Sequence, residues 1–383
     1  MREKIVNALT MLRKKKVCQP ALTAESRTFP TGCVHSVDSI KDEPLLQKQS
    51  NIPRIGIDFL GGDFISPCYM TETLNALYLG IKDPFCLTVF ATPSLAIHIE
   101  KYKKTHSIQA NQLEVIQTDE IIQMDDDPLY AIRKKKKASM CLGMKLLKEK
   151  KIDALVSTGN TGALIASAKM HLPLLSGISR AALITLLPTQ KHPVAVIDVG
   201  ANIHCTPKHL LHFAQMGLAY QKSRGIKKPL IGLLNIGTEE KKGRAELRET
   251  YQLLQKFNEN EKVFAGNIEG KEVFFGDIHV LVTDGFTGNV FLKTAEGISS
   301  FILDTLHKNI DRFPFSKSLI ERLEAELYSA EYPGAILCGV EGIIMKCHGD
   351  SKPKALKSGV QGALNLVQGN FLEKIKAELQ SSI

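Results

Sequence analysis

Residues 277–296 read DIHVLVTDGFTGNVFLKTAE, and this stretch decides the fold. Residues 278–282 are apolar apart from His279, which suits a parallel strand covered on both faces rather than a half-exposed alternating one. Thr283-Asp284-Gly285-Phe286-Thr287-Gly288-Asn289 then breaks the strand, and the pattern predicts a helix from near Thr287. A helix that opens there leaves its first N–H groups unpaired and turns its positive dipole end outward. Together these make a receptor for phosphate or another oxyanion.

The same grammar recurs on either side. Apolar runs at 54–59, 87–91, 152–157, 194–198 and 230–235 each end in a polar turn, and with 278–282 they predict an α/β fold on a mainly parallel sheet. After 152–157 comes Gly159-Asn160-Thr161-Gly162 and an alanine-rich helix at 163–170, so G-x-T-G follows a buried strand twice. Ligands of open parallel sheets sit beyond the carboxyl ends of the strands, which predicts that these turns converge on one crevice. From about 296 to 332 the pattern becomes helical, with Phe301, Ile302, Leu306, Ile310, Leu319, Ile320, Leu323 and Leu327 at helical spacing. Between the two arms lies Arg312-Phe313-Pro314-Phe315-Ser316-Lys317, a stripe suited to packing on a second subunit or to touching a membrane surface.

With 383 residues, 44% hydrophobic and 23% charged, the chain can bury a large core and is neither disordered nor collagenous. Its net charge of +9 suits an anionic partner without choosing among nucleic acid, anionic lipid and acidic protein. The eight cysteines form no CxxC pair and no zinc spacing, which points to reduced thiols in a cytoplasmic protein. Residues 1–53 carry nine Lys/Arg against five acids and little periodicity, and read as an extension outside a core of 54–383.

The motifs in order are DFLGGD at 58–63, RKKKKASM at 133–140, STGNTG at 157–162, DVGAN at 198–202, LNIGTEEKKG at 234–243, GNIE at 266–269, TDGFTGNVFLK at 283–293 and KCHG at 346–349. As a series in register they closely resemble the bacterial phosphate acyltransferase (PlsX) family of phospholipid synthesis. The resemblance implies a three-layer α/β/α sandwich related to isocitrate dehydrogenase and phosphotransacetylase, with the helical excursion serving a homodimer. It implies reversible formation of acyl-phosphate from fatty acyl-[acyl-carrier protein] and inorganic phosphate, with no cofactor and no metal. The product would feed a membrane acyltransferase acting on glycerol 3-phosphate, from a cytoplasmic, peripherally membrane-associated enzyme that does not bind nucleic acid. Three departures stand inside the motifs or beside them: Ala138 for the first of two serines, Ala181 for a proline and Asp350 for a serine.

Phosphate attack on a thioester needs no enzymatic nucleophile, because the dianion attacks and a thiolate leaves readily. Positioning and fixed donors suffice. The candidate substrate cradle is Thr158, Gly159, Asn160, Thr161 and Gly162 with Asp284, Gly285, Thr287, Gly288 and Asn289. Asn202, Asn235 and Thr238 end neighbouring strands and can orient substrate, Lys293 can supply a cation, and Lys346 is a substrate-binding candidate in a late loop with His348. His348 can donate to the oxyanion or protonate the departing sulfur. Asn160, Asn235, Lys293 and His348 are the catalytic candidates. Asp198, an acid beside an anion site, is expected to orient a loop or a lysine. Arg133, Lys134, Lys135, Lys136 and Lys137 would steer an acidic carrier protein. A dehydrogenase on the related fold lacks its GxGxxG and its aspartate cluster here; a non-catalytic scaffold for carrier protein is the third reading.

Overall fold

The computed structural model describes residues 52–308, 318, 320–323 and 334–381. The N-terminal extension, the Phe313–Phe315 tip and most of the second helical arm lie outside the described residues. Among the described residues eleven strands form one sheet: β1 (Arg54–Asp58), β2 (Cys86–Ala91), β3 (Leu113–Gln117), β4 (Ala154–Ser157), β5 (Ala182–Leu187), β6 (Val194–Ile197), β7 (Ile231–Leu234), β8 (Phe264–Ile268), β9 (Val280–Val282), β10 (Ala335–Cys338) and β11 (Ile343–Lys346). Their order is β3-β2-β1-β4-β11-β10-β5-β6-β9-β7-β8. All six apolar runs singled out in the sequence are strands, with β3, β5, β8, β10 and β11 in addition.

Seven of the ten strand pairings are parallel, so the sheet is mainly parallel as expected. The three antiparallel ones, β11 with β10, β10 with β5 and β5 with β6, fall together in the middle. An odd number of reversals turns the second parallel block over. Strands β1, β4 and β11 therefore end at one edge of the sheet, the upper edge, whereas β6, β7 and β9 end at the opposite, lower edge.

Among the described residues the α-helices are α1 (Pro67–Gly80), α2 (Pro93–Thr105), α3 (Pro128–Lys134), α4 (Ser139–Lys148), α5 (Thr161–His171), α6 (Pro207–Ser223), α7 (Ala245–Glu261), α8 (Gly285–Lys308), α9 (Pro353–Gln368) and α10 (Phe371–Ser381). Five open on proline, whose missing N–H costs nothing at a helix start, and Ser66, Thr92, Asp127 and Thr206 cap four of these. Gly143 of α4 packs on Leu155, and Gly359 of α9 packs on Cys347 and Val156. Leu155 and Val156 point to opposite faces of β4, so helices cover both faces and the architecture is a three-layer α/β/α sandwich. The core follows from the apolar runs: Ile55, Leu155, Val196, Ile197, Val280 and Val282 are all buried, each aliphatic side chain worth about 1.5–3 kcal/mol. Among the described residues no helix is long and apolar enough to cross a membrane.

Candidate active site

The two G-x-T-G turns leave opposite edges of the sheet. Gly159–Gly162 follows β4 at the upper edge and Gly285–Gly288 follows β9 at the lower edge, because the central antiparallel strands reverse one parallel block against the other. The expectation of converging loops is corrected accordingly, and each edge is its own cluster.

At the lower edge the helix start is already filled. The Asp284 carboxylate accepts from the Thr287 N–H at 2.8 Å and the Thr287 hydroxyl at 3.0 Å, and pairs with Arg244 at 2.6 Å. A buried anion of the chain's own thus occupies the positive end of α8, which leaves that turn unfavourable for a phosphate dianion. Beside it the fully buried Asp198 collects five hydrogen bonds, from the Leu183, Gly200, Ala201 and Asn202 N–H groups and from the Asn202 side chain. It orients a loop, as expected of it. The glycines of α8 exist for closeness: a methyl on Gly285 would stand 2.7 Å from the Asn202 carbonyl oxygen, and one on Gly288 would collide with the Asp198 carbonyl. Asn235 spends its side chain on the Ile236 N–H and the Lys242 carbonyl, Asn289 borders Gly200, and Thr238 is exposed. Leu234, Leu247, Val290, Phe291 and the Arg244–Asp284 pair line a pocket of about 530 Å³.

The upper edge sets a buried carboxyl beside a buried ammonium. Asp58, Ser157 and Lys346 are register partners across β1, β4 and β11, so all three side chains leave the same face of the sheet. Ser139 donates to Asp58 at 2.6 Å and Ser157 donates to it at 2.8 Å, while the Gly159 N–H donates to Ser157 at 3.1 Å. The Lys346 ammonium, almost wholly buried, donates to the Thr158 carbonyl at 3.4 Å and to the Cys347 carbonyl. Burial pushes the Lys346 ammonium below the usual lysine range, against the opposing pull of the Asp58 carboxylate. Burial likewise pushes the Asp58 carboxyl up, although both serines and Lys346 pull it back. Thr158 Oγ1 is buried without a hydrogen-bond partner, and Gly62 covers it so closely that a Cβ there would lie 2.6 Å away.

Asn160 caps α5 through the Ala163 N–H at 3.0 Å, and its amide group donates to the Met124 and Asp126 carbonyls at 2.9 and 3.2 Å. It holds the turn, and Thr161 and Gly162 form the first positions of α5. The long α8 joins the two edges: it starts at Gly285 and carries Lys293 and Glu296 up to the loop after β11, where His348 lies 3.5 Å from Glu296 and Lys293 lies 2.7 Å from it. Burial pushes the Glu296 carboxyl up, but His348 and Lys293 outweigh it and hold the group below its ordinary value. The segment Arg133–Lys137 sits at the same edge, just before α4. Lys135 turns inward to Asp126 and to the Ile121 carbonyl, while Arg133, Lys134, Lys136 and Lys137 are exposed.

The model of the family described as "Fatty acid synthesis protein" matches residues 53–374. The phosphate acyltransferase of Chlamydia pneumoniae is 39% identical over 334 residues, covering 85% of this chain and 99% of that protein. That of Clostridium tetani is 38% identical over 334 residues, covering 85% and 98%. The chain belongs to this family.

Family membership makes the protein an acyltransferase. Two phosphotransacetylase structures carry the same fold: EutD of Staphylococcus aureus, with a TM-score of 0.52 at 14% identity over 83% of this chain and 94% of its own, and the Streptococcus pyogenes protein, with 0.54 at 14% over the same shares. Within this family member the structure brings together Thr158, Gly159, Asn160, Thr161, Gly162, Lys293, Lys346 and His348. It sets Asn202, Asn235, Thr238, Asp284, Gly285, Thr287, Gly288 and Asn289 at the other edge. The residues that sequence reasoning missed are Asp58, Ser139, Ser157 and Glu296. Asp58 and Ser157 were visible as polar residues closing mostly apolar runs; Glu296, one helical turn from Lys293, carried no signal beyond a surface ion pair. Among the described residues no cluster of His, Cys, Asp and Glu could hold a metal ion.

Proposed function

We propose that the upper-edge cluster transfers a fatty acyl group from acyl-[acyl-carrier protein] to inorganic phosphate, releasing acyl-phosphate and free carrier thiol. The observation that carries this reading is the buried Lys346 ammonium, set in register with Ser157 and directed at the Thr158–Gly159 turn where α5 begins. An almost dry cation beside a neutrally capped helix start and an unpartnered threonine hydroxyl attracts a dianion far more strongly than a solvated lysine would. Lys293 adds a second cation from α8. A phosphate oxygen held there attacks the thioester carbonyl, the carbon–sulfur bond breaks, and the thiolate leaves. His348, oriented by Glu296, stands where it can protonate the departing sulfur.

The exposed cations Arg133, Lys134, Lys136 and Lys137 form the landing surface for the acidic carrier. They are tied to the turn through Lys135 and the 121–126 loop, whose carbonyls hold Asn160. A homodimer is part of the same proposal. Phe286, Val290 and Phe301 recur along one side of α8 and are exposed, an apolar stripe that a second copy would cover. Peripheral membrane association and delivery to a glycerol-3-phosphate acyltransferase complete it, since acyl-phosphate is short-lived in water and its apolar chain favours a bilayer.

Mixing purified protein with fatty acyl-carrier protein and phosphate tests the reaction. Thiol and acyl-phosphate are expected in equal amounts, and none without phosphate. Thiol release that ignores phosphate would make the protein a thioesterase and end the proposal. Charge reversal of Arg133 and Lys134 should raise the KM for carrier, more so at low salt, and leave the KM for phosphate alone.

A further inference from the structure

We propose that Asp58 is a positioning residue: a buried anion that keeps Lys346 charged and, through Ser157, holds the Gly159 turn in its phosphate-receiving shape. The proposal rests on the phosphate reading above and names a residue that never touches phosphate.

The geometry is a row of three. Asp58 pairs with Ser157 and Ser157 with Lys346 across adjacent parallel strands, so the carboxylate and the ammonium leave the same face with one serine between them, their Cα atoms about 10 Å apart. Both ends of the row are buried. A buried cation and a buried anion without each other would each cost far more than the pair. The hydrogen bonds run in one direction only. The Gly159 N–H donates to Ser157, whose hydroxyl donates to Asp58, and Ser139 donates to the other carboxylate oxygen. Every bond at the carboxylate is therefore received, and the arrangement requires an acceptor with two free oxygens. An asparagine offers one oxygen and one amide group, so one of the serines would lose its acceptor.

The charged and titratable groups facing the row are few. Lys346 senses Cys347, Asp58, Lys293 and Asp350, and Asp58 is in range of Cys141 on α4. Cys347 and Cys141 are thiols pushed up by burial, so neither is ionised near neutral pH. Asp350 is exposed, and Lys293 has the wrong sign. Asp58 is thus the buried negative charge available to Lys346, and Ser139 fastens it to the first residue of α4, directly after the carrier-landing segment.

The test is the pH profile of kcat/KM for phosphate in Asp58→Asn and Asp58→Glu, each divided by wild type. Without its counter-charge Lys346 gives up its proton at lower pH. The deficit of Asp58→Asn should then grow about tenfold between pH 6.5 and pH 9, whereas Asp58→Glu keeps the charge and shows a deficit that does not change with pH. An Asp58→Asn deficit equal at every pH, or the same slope in both variants, overturns the proposal. Should Asp58→Asn fail to fold, Ser157→Ala decides: a several-fold higher KM for phosphate is expected, and an unchanged KM overturns it. Wild type that makes no acyl-phosphate would instead overturn the phosphate reading itself.

Discussion

Replacing Gly285 by alanine separates two effects of opposite sign. In an ordinary exposed helix the change stabilises by about 1 kcal/mol, because alanine is the better helix former. Here the added methyl would lie 2.7 Å from the Asn202 carbonyl oxygen, 2.8 Å from its nitrogen and 2.9 Å from Asp198 Oδ2. Those separations are 0.5–0.7 Å short of the 3.4 Å at which ordinary contact begins. None of the three atoms can yield cheaply, since two are backbone and the third is held by the Asn202 N–H at 2.7 Å and the Asn202 side chain at 2.8 Å. The helix start must retreat instead, stretching the 2.8 Å bond from the Gly285 N–H to the Asn202 carbonyl. Overpacking of this kind costs about 1–3 kcal/mol, and a lost bond about 1 more, so the net loss is roughly 2 kcal/mol after the propensity gain. Calorimetry should show Tm lower by about 2–3 °C. Because Lys293 and Glu296 ride on the same helix, turnover should fall too. A Tm equal to or above wild type would refute the close-packing explanation of the second G-x-T-G turn.

Two further outcomes follow from single residues. Ala138 stands at the N-cap of α4 with no side-chain bond to the helix; Ala138→Ser should supply one and stabilise by about 0.5–1 kcal/mol, seen as a rise in Tm, and a lower Tm would show that the site has no room. His279 stacks on His192 at 4.0 Å and its Nδ1 accepts from the Leu230 N–H at 3.1 Å. Burial, and then the charge of His192, hold it below the ordinary histidine value. The unfolded chain therefore binds the proton first, and this contribution to stability is complete above pH 6.5 and lost as pH falls below it. Urea midpoints at pH 7.5 and 5.5 should drop less for His279→Gln than for wild type; equal drops would remove His279 from the account.

Much of the sheet was legible because burial writes itself into composition. Val194–Ile197 and Val280–Val282 are apolar without a break and lie between two helical layers. Direction was not legible, for apolar burial carries no sense of strand polarity. β5 and β10 are as apolar as their parallel neighbours yet run against them, and that reversal separates turns which share a sequence pattern. The lower turn did carry a warning: Asp284 stands three residues before Thr287, the spacing of a helix cap, and an acid already in place argues against a second anion. The role of Asp58 needed the strand register, since 99 residues separate it from Ser157 and no local pattern joins them to Lys346.

On the proposed function, phosphate is held at the upper edge by Lys346 and not at the lower edge beside Arg244. Steady-state KM for phosphate in Lys346→Met and Arg244→Met tests it most directly. Turnover abolished, or KM raised at least about tenfold, is expected in Lys346→Met, the loss of a buried charge-assisted contact being worth about 1.5–3 kcal/mol, with Arg244→Met within about threefold of wild type. The reverse order, a Lys346 variant near wild type and an Arg244 variant blind to phosphate, would contradict it.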